Sequence, residues 1–175
     1  MSSDRVCIKQ FLKGDHQSFE VLYERYRKQL YSYLNRLVPE QSYLADDLFQ
    51  QTWIKAIDNF EKYKEKGTFL GWLFRIAHNL FIDYCRKNNF ELSGNEKVMH
   101  TKNTPHKEME AKEFDTALEE KLLLLKPAQR EVFLLRQNDI SFKEIAEIQK
   151  TGINTVLGRM RYAVEKLQES LKEYL

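Results

Sequence analysis

The sequence predicts an all-α protein of two small helical domains, a three-helix module over 1–88 and a second module over 112–175 that ends in two closely spaced helices, joined by a flexible linker over 89–111. Three observations carry that expectation. Only 6 Gly and 3 Pro occur in 175 residues, and long stretches are dense in Leu, Lys, Glu, Gln and Arg, which are good helix formers. Apolar residues recur every three or four positions instead of alternating. That spacing lapses from about Asn88 to Glu110, where Asn, Ser, Gly, Thr and Pro105 gather, the composition of a tether.

The first helix is read from Phe19, Leu22, Tyr23, Tyr26, Leu30, Tyr33, Leu34 and Leu37, which share one face, and Pro39 ends it. A second helix is expected after Ser42 as N-cap, with Leu44, Leu48, Phe49, Trp53 and Ile57 inward and Asp46 and Asp47 in its first turn. It fades near Asn59 into a lysine-rich loop, Phe60 to Gly67, which has two aromatics and no apolar period. Thr68 then caps a third helix with Phe69, Trp72, Leu73, Ile76, Leu80 and Tyr84 as its stripe.

Beyond the linker, Phe114, Leu118, Leu122 and Leu125 form one helix, and Pro127 opens the next, which carries Val132, Phe133 and Leu135. Ser141-Phe-Lys-Glu144 is a capping box, in which the serine hydroxyl and the glutamate carboxylate satisfy each other's free backbone N–H groups. The helix it opens stops at Gln149. Gly152 permits a tight turn, and Asn154 can cap a last helix with Val156, Met160, Ala163, Leu167 and Leu171 inward.

Such a pair is either an antiparallel packing unit with solvated charges or a DNA-reading helix-turn-helix. In the latter the second helix enters the major groove and the first lies across the backbone. Thr155, Leu157, Gly158, Arg159 and Arg161 lie off the apolar stripe and are available to bases, and Lys143 to phosphate. Net charge is only +2, but no acid stands between Gln149 and Val164 while Lys150, Arg159 and Arg161 do. A local positive field suits nucleic acid better than the total suggests.

Other classes find little support. Cys7 and Cys85 have neither CxxC spacing nor a Cys/His cluster, so no metal site or disulfide framework is expected and a reducing cytoplasm is the default. No apolar run is long enough for a bilayer, so no membrane insertion is expected. Without a nucleotide-binding loop or a nucleophile–base constellation, neither an enzyme nor a cofactor is expected.

Taken in order, Ala45-Asp-Asp-Leu-Phe-Gln-Gln-Thr-Trp53, then Phe69-Leu-Gly-Trp-Leu-Phe-Arg-Ile-Ala-His-Asn79, then Ile145-Ala146 with Thr155-Val156 and Arg159, resemble the sigma-70 superfamily, and within it the extracytoplasmic-function (ECF) group. The resemblance runs from about Phe19 to Leu171. It implies a sigma region 2 module and a sigma region 4 helix-turn-helix, and a protein that binds the RNA polymerase core enzyme and directs it to promoters. It also brings an anti-sigma factor, or another targeting protein, as a candidate partner.

The resemblance assigns residues as well. Asp46, Asp47, Gln50 and Gln51 would dock on the polymerase. Unpaired minus-10 DNA would meet Phe60, Lys62, Tyr63, Lys64 and Lys66 on the loop and Arg75, Asn79, Arg86 and Lys87 on the third helix, a mixture of stacking faces and cations suited to single strands. Trp72 reads as core, and His78 as solvent-facing and without a role. Duplex minus-35 DNA would meet Lys143, Thr155, Leu157, Gly158, Arg159 and Arg161. This chain has Lys150-Thr151 where the family usually turns on Gly-Ile, and Leu157, Tyr162 and Val164 where basic residues are frequent, so region 4 is expected to hold phosphate weakly. A helix-turn-helix regulator independent of polymerase, or a helical adaptor, would leave the N-terminal helices or the acid-free stretch unexplained.

Overall fold

A computed structural model describes residues 3–88 and 111–172; the linker expected over 89–111 lies almost wholly outside them. The described residues form helices and no strand. Helices α1 (Asp4–Leu12), α2 (His16–Leu37) and α3 (Ser42–Asp58) are followed by a single 3-10 turn at Phe60–Lys62 and by α4 (Phe69–Lys87). Helices α5 (Ala111–Leu122), α6 (Pro127–Gln137), α7 (Phe142–Ile148) and α8 (Ile153–Ser170) make the second unit.

The N-terminal unit has one helix more than expected. Ser3 caps α1 through the Val6 N–H, and Asp4 anchors that helix to α2 by accepting from the Tyr26 hydroxyl at 2.6 Å and pairing with Arg25. Asp15, four residues before Phe19, caps α2 through the Gln17 N–H at 3.1 Å. Buried Leu22, Leu30, Tyr33, Leu34 and Leu37 of α2 meet Ala45, Leu48, Trp53 and Ala56 of α3 and Phe69, Leu73, Phe74 and Ala77 of α4. A leucine buried this completely contributes roughly 1.5–3 kcal/mol through apolar area alone.

Two expected caps are corrected. The N-cap of α3 is Gln41, without a side-chain bond, and Ser42 lies inside the helix. Asp46 and Asp47 therefore fall beyond its first turn, and the entry is set by Glu40, whose φ of 65° turns the chain. At α8 the N-cap is Gly152 with an ordinary φ of −72°, and Asn154 lies within the helix. The left-handed residue of that turn is Lys150, at φ 51°. A lysine there bears strain a glycine would escape.

Thr68 does cap α4, accepting from the Gly71 N–H at 3.0 Å, and Pro127 stands in the first turn of α6. Buried Val132, Leu134 and Leu135 of α6, Ile140, Ile145 and Ile148 around α7, and Val156, Ala163 and Leu167 of α8 form the second core. Arg130 is buried with them and donates to the carbonyls of Leu122, Leu125 and Leu37 at 2.9, 3.1 and 3.3 Å. It satisfies carbonyls at and just beyond the C-terminal ends of α5 and α2, a placement that suits a cation. Burial pulls its pKa down to about 10.

The two units are not separate. Helix α6 packs on α2 and α7 packs on α4, and the buried residues form one cluster. At the centre of the contact Glu131 of α6, 3% exposed, accepts from the Tyr33 hydroxyl at 2.6 Å and from His78 Nδ1 at 2.8 Å. Its second oxygen accepts from Gln149 Nε2 at 2.7 Å. A carboxylate only accepts, so the proton of the His78 contact sits on Nδ1. The expectation of a solvent-facing His78 is thereby corrected.

Replacing Tyr33 with Phe keeps the ring against Phe74, whose centroid is 4.5 Å away, and removes one donor from a buried carboxylate. A loss of about 1–3 kcal/mol is expected from urea denaturation of the full chain; an unchanged midpoint would remove the Tyr33 bond from the account.

Candidate nucleic-acid interface

The expected minus-10 residues separate into three settings. Phe60, expected as a stacking face, is 1% exposed and packs edge-on against Phe11 and tilted against Phe69 and Trp72, so it belongs to the core. Lys64 and Lys66 stand exposed on the loop, as do Arg86 and Lys87 in the last turn of α4, where Arg86 lies 3.6 Å from Asp83. Tyr63 is half-buried, its ring 4.9 Å from Trp72 and 5.6 Å from Phe69. Burial, then the nearby carboxylates, push its hydroxyl up to about 12, so it remains a neutral donor at ordinary pH.

Lys62, Arg75 and Asn79 come together. With Lys55, Asn59, Trp72 and Ile76 they line a pocket of about 300 Å³ between the end of α3, the 3-10 turn and α4. Trp72, Arg75, Ile76 and Asn79 recur at the spacing of one helix face, so a single side of α4 builds one wall. Asn59 donates to the Lys55 carbonyl at 2.8 Å and closes the end of α3, which sets the opposite wall. The result combines three cations, two amides and an aromatic face, the donor set that a stacked base with its phosphate requires. Reading Trp72 as core was half right: its ring packs on Phe60 and Tyr63 and also lines the pocket. Lys55 and Asn59 were missed because nothing in the α3 pattern shows that its end faces α4.

On α8, Thr155, Leu157, Gly158 and Arg161 are exposed, and so is Lys143 on α7. Arg159 is half-buried and donates to Gln149 Oε1 at 2.7 Å. It is thus tied through Gln149 to Glu131. A Cβ added at Gly158 would meet nothing within 4 Å, so no packing inside the chain calls for glycine there. On α3, Asp46, Asp47, Gln50 and Gln51 are all exposed. Tyr43 and Ile54, 91% and 58% exposed, flank Asp47 and Gln50 along one stripe.

Helix α7 covers part of the α4 face. Arg75 Nη2 lies 2.9 Å from Glu147 Oε2. Ser141 caps α7 through the Glu144 N–H at 3.2 Å, but the Glu144 carboxylate does not complete the expected box. It sits instead at the start of α4, where a Cβ on Gly71 would meet its Oε1 at 2.0 Å. Burial raises the Glu144 pKa against the opposing pull of the Thr68 N–H and Arg75.

The sequence likeness settles the family. The model for sigma-70 region 2 matches residues 22–91. The RNA polymerase sigma factor YlaC of Bacillus subtilis is 31% identical over 165 residues, covering 89% of this chain and 95% of its own. The chain belongs to the sigma-70 superfamily, in its ECF group. The ECF sigma factor SigW of Bacillus subtilis is 28% identical, with 95% of each chain covered. In fold, the sigma factor RpoE of Bartonella quintana, solved with the anti-sigma factor NepR, superposes with a TM-score of 0.71 at 23% identity, over 89% of this chain and 98% of its own.

Within this sigma factor the node at Glu131 has a defined pH response. Burial works to raise its pKa, but the hydrogen bond and attraction of His78, with the bonds from Tyr33 and Gln149, outweigh it and hold the carboxyl below its ordinary value of 4.5. A depressed carboxyl contributes stability above its unfolded value and loses it as pH falls through the folded one. Denaturant midpoints should therefore drop below about pH 4.5 more steeply in the wild type than in Glu131→Gln; parallel curves would contradict the assignment.

Proposed function

We propose that this sigma factor carries RNA polymerase core to promoters with its two units divided at the linker, 1–88 serving region 2 and 112–175 region 4. The pocket carries the reading: on the unit that matches sigma-70 region 2, Lys55, Lys62 and Arg75 surround the Trp72 ring and the Asn59 and Asn79 amides. An unpaired minus-10 base enters that pocket, with Asn79 and Asn59 offering donors and acceptors to its edge. Lys64, Lys66, Arg86 and Lys87 draw in the phosphates around it.

The exposed α3 stripe is the proposed polymerase contact. Asp46, Asp47, Gln50 and Gln51 give it polarity, and the apolar Tyr43 and Ile54 give it buried area on docking. Thr155, Leu157, Gly158, Arg159 and Arg161 face minus-35 duplex, with Lys143 on phosphate. Only two arginines serve that face, so minus-35 affinity is low and rests on the polymerase, or on an accessory factor, to hold the duplex in place. The chain does no chemistry of its own, acts in the cytoplasm where polymerase is, and takes an anti-sigma factor as partner, as RpoE does.

Three variants separate these contacts. Asn79→Ala should lower promoter-specific run-off transcription about tenfold or more while the protein still co-migrates with core polymerase on gel filtration, as expected for a lost base contact worth about 1–3 kcal/mol. Ile54→Asp should do the reverse and abolish co-migration. Loss of polymerase binding in Asn79→Ala, or full binding in Ile54→Asp, would refute the respective surface.

Gly158→Ala should raise the thermal midpoint, since alanine in an exposed helix interior is favoured over glycine by about 1 kcal/mol. It should at the same time weaken promoter binding, because the added methyl stands where the DNA approaches. A variant that is stabilised and fully active would take Gly158 off the reading face.

A further inference from the structure

We propose that Asn154 and Leu157 set the base preference of the minus-35 contact, reading an adenine and the methyl group of a thymine on adjacent base pairs. The inference rests on the promoter-binding reading above and names the sequence that the helix-turn-helix selects. Asn154, at the second position of α8, is exposed and caps nothing. Its amide has no hydrogen-bond partner among the described residues, and asparagine is a poor helix former, so folding gives no reason for it there. Leu157 is 39% exposed, outside the stripe of Val156, Ala163 and Leu167 that α8 buries. Gly158 follows it, with open space where a side chain would stand.

These positions form one ridge. Leu157 and Gly158 follow Asn154 by three and four residues and precede Arg161 by four and three, so the four share the helix face turned away from the buried stripe. Thr155 and Arg159 lie on its flanks, the latter with its guanidinium on Gln149. Glu165, also exposed, continues the ridge one turn beyond Arg161, and its charge repels phosphate. Contact with DNA is thereby confined to the first half of the helix, the half that meets base edges in a helix-turn-helix.

The chemistry of the ridge selects its bases. An asparagine amide donates to N7 and accepts from the N6 amino group of adenine, a pairing that no other base offers in the major groove. Leu157 has no polar atom, so its favourable partner is the thymine methyl; against a cytosine amino group or a guanine oxygen it would displace water and replace no bond. The helix advances about 4.5 Å from Asn154 to Leu157, close to the roughly 3.4 Å between base pairs, so the two face neighbouring pairs. Gly158 lets the backbone approach closely enough for the short asparagine to reach. With few cations on this face, phosphate attraction is weak and discrimination falls to these two side chains.

The test uses the full chain assembled with core polymerase, in run-off transcription from a promoter library randomised across the minus-35 and minus-10 elements. Wild type should enrich two adjacent A·T pairs in the minus-35 element. Asn154→Ala should lose the adenine preference on the order of tenfold and keep the thymine preference, and Leu157→Ala should do the reverse. Two base analogues placed in the enriched duplex then address single atoms. 7-Deazaadenine, which lacks N7, should weaken holoenzyme binding by wild type but not by Asn154→Ala; deoxyuridine, which lacks the methyl, should weaken wild type but not Leu157→Ala. A merely structural role for either residue would leave the analogue effects unchanged in its variant. Enrichment of G·C pairs, or analogues that cost each variant as much as wild type, would overturn the assignment while transcription persists. Absence of transcript from every library member, wild type included, would instead overturn the promoter-binding reading and this inference with it.

Discussion

A carboxylate buried between two helical units sets the terms for the rest of the molecule. Glu131 is surrounded by groups from α2, α4, α6 and the turn after α7, and all three of its bonds come from side chains of other elements. Its desolvation must be offset by those bonds together. Tyr33 can supply its hydroxyl because its ring is already locked in the first core, and His78 because α4 presents it on the side facing α6. The register of both cores thus converges on one side chain.

The surfaces proposed for DNA inherit that arrangement. Arg75 and Asn79 each stand one residue from buried positions of α4, Phe74 for the first and His78 and Leu80 for the second, and Arg159 stands three from buried Val156 on α8, so each reading group is held by packing behind it. The contact that organises the units also occupies two of those groups, Arg75 through Glu147 and Arg159 through Gln149.

Much of this was legible in the sequence because it is local. The stripes of α2, α4 and α8, the Thr68 and Ser141 caps and Pro127 depend on neighbours a few residues away, and they stand where their spacing places them. The motif order that resembles the ECF group led to the family that the relatives bear out. What escaped was long-range. The Glu144 carboxylate leaves its own helix because Gly71, more than seventy positions earlier, offers it a seat. His78 is buried by a helix from the other unit, and Phe60, in a lysine-rich loop with no apolar period, is drawn inward by Phe11 and Trp72. Lys55 and Asn59 became visible only when α3 and α4 crossed. Charge and periodicity describe one element at a time, and a site between elements has no signature in either.

The most direct test is the distance between the units with and without the Glu131 carboxylate. Spin labels on Lys28→Cys and Gln168→Cys, both at exposed positions, report it by pulsed electron resonance in the free chain and in the same chain carrying Glu131→Ala. The account expects one short, narrow distribution in the free chain, broadened toward longer distances when Glu131 is lost. An identical distance in both would contradict it.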